Sequence, residues 1–160
     1  MGTPVEGKQR LVGFLKEAGV PFEEHEHQLA YTAQAVAEAE HVPGKTLAKV
    51  VIALADGELV MFVLPAPYRL DTEKAAAELG AAELRLAHEN EFANRFPDCD
   101  VGAMPPVGKL YAMDTYVDKS LAEDEYIVFQ AGTHTDTIRL KYADYARAAG
   151  PAVVDIAFRG

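Results

Sequence analysis

Two apolar stretches meet across Asp56-Gly57, and no other feature restricts the fold of this chain as much. Leu47–Ala55 and Glu58–Leu64 are rich in Val, Ile, Leu and Phe. Asp-Gly between two such runs is a strong hairpin signal, because a two-residue turn that follows the strand twist needs positive φ at both central positions. Neither run alternates with polar residues. Both faces of the hairpin must therefore be covered, which predicts a strand pair inside a central sheet. No apolar run approaches the roughly 18–20 residues of a membrane span, so no membrane partner is expected.

The flanking segments carry the other local signals. Residues 5–18 place Leu11, Val12, Phe14, Leu15 and Ala18 on one helical face, with Gly19 as a stop. Residues 22–27 read as a polar edge strand. Thr32 can cap a helix that Pro43-Gly44 ends. Asp71 caps a helix over 72–79, closed by Gly80. Residues 83–86 form a short strand, and a helix starting near Asn90 stops at Pro97. Tyr111 to Val117 carries further strand signals. A second hairpin spans 125–130 and 135–140 around Ala131-Gly132, and a last helix over 142–149 ends at Gly150-Pro151. Strands arrive in pairs and helices intervene irregularly. The expected fold is an α+β, single mixed-sheet domain over residues 1–160 with surrounding helices.

Composition narrows the partners. Fifteen Lys and Arg against 25 Asp and Glu give a net charge of −10 over 160 residues. That balance argues against a broad phosphate-binding surface, so no DNA partner is expected. The single cysteine, Cys99, cannot form an internal disulfide, and the N-terminus lacks the basic and apolar regions of a signal peptide; a cytoplasmic location is expected. Cys99 stands between Asp98 and Asp100, which disfavour a thiolate.

No P-loop, G-x-G-x-x-G, H-E-x-x-H, G-x-S-x-G or paired C-x-x-C occurs. Three segments remain as candidates for chemistry. Lys49 opens the run Val50–Leu54: its ammonium either faces a ligand at a pocket rim or snorkels to water. The loop from Gly102 to Gly108, with Pro105-Pro106, either presents fixed N–H groups to a carbonyl or phosphate or serves as a stiff connector. The turn from Gln130 to Thr135 carries more polar groups than a plain hairpin turn needs, including Gln130 and His134; His134 suits either substrate contact or a structural role. Lys45 and Lys49, Lys109, and Arg139 with Lys141 lie in stretches free of acids, basic islands that could form a local anion site if the fold joins them. His25 and His27 share one face of a strand and could meet a metal, but no third ligand follows at a characteristic spacing; two solvated histidines are the alternative.

Gly44–Ile52, Leu64-Pro65 with Arg69-Leu70-Asp71, Val101–Pro106 and Val128–Gly132 occur in an order and spacing that resembles the YbaK / prolyl-tRNA synthetase-associated domain family of trans-editing aminoacyl-tRNA deacylases. The resemblance runs nearly the length of the chain. It implies a YbaK-like fold and hydrolysis of the ester of mischarged tRNA, aided by a water and by a hydroxyl of the substrate's terminal adenosine, with no cofactor and no metal. On this resemblance Lys49, Gly102 and Ala103 are the candidate catalytic residues. Lys45, Met104, Pro105, Gln130, Ala131, Gly132 and His134 are candidate substrate contacts. Some relatives carry a small hydroxyl residue where Gln130 stands; an amide can instead hydrogen-bond a ribose hydroxyl or ester carbonyl. The implied partners are the 3′ end of aminoacyl-tRNA and an aminoacyl-tRNA synthetase. The alternative is a non-catalytic module that uses the same pocket for an amino acid, a nucleotide or a synthetase.

Overall fold

The computed structural model describes residues 3–26 and 44–158. Helix α1 (Pro4–Glu17) begins at a capping box: Thr3 Oγ1 accepts from Glu6 N, and the Glu6 carboxylate accepts from Thr3 N, each at 3.2 Å. It buries Leu11 and Leu15 completely, each contributing about 1.5–3 kcal/mol relative to an exposed position. Gly19, at φ 71°, follows the last turn.

The central hairpin pairs β2 (Ala48–Ala55) with β3 (Glu58–Pro65), from Ala48↔Pro65 to Ala55↔Glu58. Asp56 (φ 50°) and Gly57 (φ 85°) both adopt the left-handed conformation the turn demands. Asp56 has a second task. Its carboxylate accepts from Ala82 N and Glu83 N at 3.2 and 2.8 Å, which fastens β5 (Leu84–Leu86) to the edge of β2. Strands β6 (Thr115–Asp118) and β9 (Ala152–Val154) extend the other side in parallel, giving the mixed order β5-β2-β3-β6-β9.

Both faces of this sheet are covered, as the unbroken apolarity of β2 and β3 requires. Ala48, Ile52, Met61 and Val63 pack with α1 into the larger core. Ala53, Val60 and Phe62 pack on the opposite face against Ala75 of α2 (Thr72–Leu79) and Ile156. Asp71 caps α2 by accepting from Glu73 N and Lys74 N, and Gly80 closes it at φ 66°.

A second, antiparallel sheet has the order β1-β8-β7, formed by β1 (Glu23–Glu26), β7 (Tyr126–Gln130) and β8 (Asp136–Lys141). It joins the first at a parallel bridge, Leu47↔Val128. The last helix, α5, spans Tyr142–Ala149. Strand β4 (Arg69–Leu70) pairs with β10 (Ala157–Phe158) as a separate ribbon.

Several boundaries differ from the sequence reading. The segment 108–111 is a 3-10 turn, and β6 starts only at Thr115. The second hairpin turns through 131–135, not through Ala131-Gly132 alone. The segment 89–95 is one helical turn, α3 (Glu89–Phe92), followed by a 3-10 turn. Helix α4 (Lys119–Ala122) and strands β4, β9 and β10 have no counterpart in the sequence reading. They are two to four residues long, too short for periodicity to register. Asp118 is fully buried. It accepts from Ile156 N and Ala157 N at 3.0 and 3.1 Å and so holds β10 in place. The helix expected after Thr32 lies outside the described residues, as does His27. Among the described residues, no helix is long and apolar enough to cross a membrane.

Candidate active site

Lys49 is the second residue of β2 and pairs with Leu64. It shares a face with Val51, turned from the larger core. Its side chain lines a cleft of about 580 Å³, whose walls include Val51, Arg69, Asp71, Leu86 and Phe158. The residue is half-buried. Burial alone holds its ammonium below the ordinary lysine range. Lys49 thus presents a partly desolvated cation to a concave surface.

The register of the sheet bridge relates Lys49 to the second hairpin. Leu47 stands beside Val128 in parallel, which brings the start of β2 next to β7; the residues that line the Lys49 cleft include neither Gln130 nor Gly102 nor His134. Gln130 faces Thr137 across β7 and β8. Gln130 Nε2 and Thr137 Oγ1 are buried and find no hydrogen-bond partner among the described residues.

Beyond Gln130 the chain clasps the glycine-proline loop. Gly132 N donates to Ala103 O, and Asp100 N donates to Gly132 O, both at 2.8 Å. His134 N donates to the Asp100 carboxylate at 3.3 Å. A Cβ built on Gly102 would lie 3.7 Å from His134 Cε1, so this ring stands directly against the loop. Gly102 itself is exposed at φ 88°. Ala103, Met104, Pro105 and Ala131 are buried. The Ala103 N–H donates to Asp100 O at 3.0 Å and the Ala131 N–H to Asp136 O at 3.0 Å. Among the described residues, the Gly102 N–H meets no acceptor. The Met104 N–H likewise meets none, but Met104 is buried whereas Gly102 is exposed.

The basic islands do not pool. The Lys45 ammonium sits 5.8 Å from the Tyr68 ring centroid in a separate depression with Lys119 and Asp124. Lys109 Nζ donates to Ala148 O at the end of α5. Arg139 lies 4.5 Å over the Tyr126 ring and bonds Glu23. The second cation in the Lys49 cleft is Arg69, which the charge pattern passed over. Phe158, on the same wall, carries no local signal; the pairing of β4 with β10 brings it there.

Cys99 does not supply a nucleophile. Burial and the neighbouring Asp98 push the Cys99 thiol up to about 12, against its hydrogen bond with Tyr111. Its thiol is a poor nucleophile. Among the described residues no group of three His, Cys, Asp or Glu could hold a metal ion.

The model of the aminoacyl-tRNA editing domain matches residues 27–148. The chain belongs to the aminoacyl-tRNA editing domain family. An Escherichia coli K12 protein of similar sequence is a multifunctional Ser/Thr-tRNA deacylase, ProXp-y, 29% identical over 153 residues, which cover 92% of this chain and 90% of that protein. The protein of the same name from Escherichia coli O157:H7 matches equally. A solved structure described as a candidate trans-editing enzyme for prolyl tRNA synthetase superposes with a TM-score of 0.81 at 22% identity, covering 95% of this chain and 97% of that one. A second, of a hypothetical protein, reaches 0.84 at 22% identity over 92% and 99%. At such identities these two establish the fold.

This editing-domain protein acts on aminoacyl-tRNA, and editing is hydrolysis of the ester that joins an amino acid to the 3′ end of tRNA. That reaction explains why standard catalytic signatures are missing. An aminoacyl ester is already activated, so orientation and a polarised carbonyl suffice.

Proposed function

We propose that the cleft beside Lys49 holds the esterified 3′-terminal nucleoside, and that Lys49 and the Gly102 N–H together orient and polarise the ester. The observation that carries this is Lys49 itself, a partly desolvated ammonium on a cleft wall with burial as the cause of its shift. In the reaction, water adds to the ester carbonyl carbon. Negative charge grows on the carbonyl oxygen, where a cation and an N–H donor stabilise it. The C–O bond to the ribose then breaks and the leaving oxygen takes a proton. The neighbouring ribose hydroxyl is placed to position the water. Ala103, Met104, Pro105, Ala131 and Gly132 support the loop from behind, while Gln130 and His134 border the aminoacyl group. Lys45 lies apart, in its own depression, where it is placed to meet an outer part of the tRNA end.

The substrates to expect first are seryl and threonyl esters, on the strength of the Ser/Thr-tRNA deacylases that the chain resembles. An aminoacyl-tRNA synthetase is the proposed partner in delivery, supported by the fold shared with the candidate trans-editing enzyme for prolyl tRNA synthetase. The cytoplasm, where charged tRNA is used, is the proposed location. Incubation with a panel of mischarged tRNAs tests the assignment. The protein should deacylate at least one, and Lys49→Ala should do so about 10²–10³-fold more slowly, the usual cost of losing one stabilising group at a developing oxyanion. Equal rates for variant and wild type would refute the role of Lys49.

A further inference from the structure

The cleft holds a feature that ester hydrolysis does not use. Phe158 is 45% exposed, a large apolar ring left open to solvent. It stands opposite Arg69 in the β4–β10 ribbon. The Arg69 guanidinium lies 5.4 Å from its ring centroid. Leu86, 52% exposed, and Val51 complete an apolar lining in the same cleft as Lys49. A single exposed apolar side chain needs no explanation. An aromatic ring, a planar cation and two aliphatic groups within one cleft are different, because together they suit a flat heterocycle.

The charges in the cleft point the same way. Lys49 and Arg69 are balanced by Asp71 and Glu73. The Asp71 carboxylate is turned to the first turn of α2, where it accepts from Glu73 N and Lys74 N at 3.1 Å. A phosphate entering here would meet two carboxylates. An uncharged base would meet a π-face and a guanidinium plane. Stacking on aromatic side chains and on arginine is how proteins hold unpaired bases, and it tolerates any base because each has a π-face. When the ester lies at Lys49, the base that must lie nearest is that of the esterified nucleoside.

We propose that Phe158 and Arg69 form a stacking platform for the adenine of the substrate's terminal nucleoside. The proposal rests on the Lys49 cleft being the reaction centre. It also explains why Asp118 is spent, fully buried, on fixing the backbone of Ile156 and Ala157: that bond set positions Phe158.

The test is calorimetry with two non-hydrolysable amides: 3′-serylamino-3′-deoxyadenosine, and the same serylamide on a sugar lacking the base. Wild type should bind the adenosine compound about 5- to 150-fold more tightly, the range that base stacking supplies. Phe158→Ala should abolish that preference and Phe158→Tyr should retain it. Lys49→Ala should weaken both compounds alike and keep the preference. Turnover of the cognate aminoacyl-tRNA should show a raised KM in Phe158→Ala with kcat within about twofold. Wild-type affinity of Phe158→Ala for the adenosine amide overturns the platform and leaves the role of Lys49 standing. Wild-type protein that binds neither amide overturns the cleft assignment and the platform together.

Discussion

Two glycines in one helix give opposite expectations at the residue scale. Gly7 and Gly13 both lie in α1. A Cβ on Gly7 would sit 1.8 Å from the Asp98 carbonyl oxygen, whereas one on Gly13 meets nothing within 4 Å. Alanine favours a helix by roughly 1 kcal/mol over glycine. Gly13→Ala should therefore raise stability by about 0.5–1 kcal/mol in urea unfolding, while Gly7→Ala should lower it by about 1–3 kcal/mol through overpacking against rigid backbone. Lys49 gives a second expectation. In the role proposed for it the charged form is the active one, and burial lowers its pKa from 10.5. The rate enhancement over spontaneous ester hydrolysis should thus fall as pH rises through a value below that of free lysine. The residual enhancement of Lys49→Gln should show no such fall. A wild-type pH–rate profile that stays level past the free-lysine range would contradict the requirement for the cation.

At the scale of elements, the parts legible in the sequence are those whose signals are local. The Asp56-Gly57 hairpin and the helix between Asp71 and Gly80 emerge within a residue of expectation, because turn and cap chemistry fix them. The β4–β10 ribbon does not, since two short segments far apart in sequence meet only in the folded chain, where Asp71 N donates to Ile156 O and the buried Asp118 holds Ile156 and Ala157. Lys49 could be singled out from its place before an apolar strand; Arg69 stands out only as part of the family pattern and Phe158 not at all, because their place in the cleft comes from that ribbon. Asp136 is another such tie. Burial pushes its carboxyl up, but hydrogen bonds from Thr133 and Lys8 outweigh this and hold it below the usual range. It joins α1 to the β7–β8 turn through Lys8 at 3.0 Å. A depressed carboxylate pKa stabilises above the unfolded value of about 3.9 and loses that contribution as pH falls through the folded value. Asp136→Ala should cost about 1–3 kcal/mol at pH 7. The difference from wild type should narrow below about pH 4. A difference unchanged down to pH 2 would contradict it.

For the whole molecule, the net charge of −10 takes on a narrower meaning. The cleft offers two cations, Lys49 and Arg69, with Asp71 and Glu73 also on its walls. Grip on a single terminal nucleoside needs little phosphate neutralisation. The logarithm of tRNA affinity should therefore fall with the logarithm of salt with a slope no steeper than about −1.4, the value for two single-strand contacts. A slope near −5 would mean a broad phosphate interface elsewhere on the surface. The central claim, that Lys49 acts on the ester rather than merely lining a cleft, is tested most directly by single-turnover deacylation of the cognate mischarged tRNA by Lys49→Gln at saturating protein. The first-order rate should fall about 10²–10³-fold; a rate within twofold of wild type would contradict it.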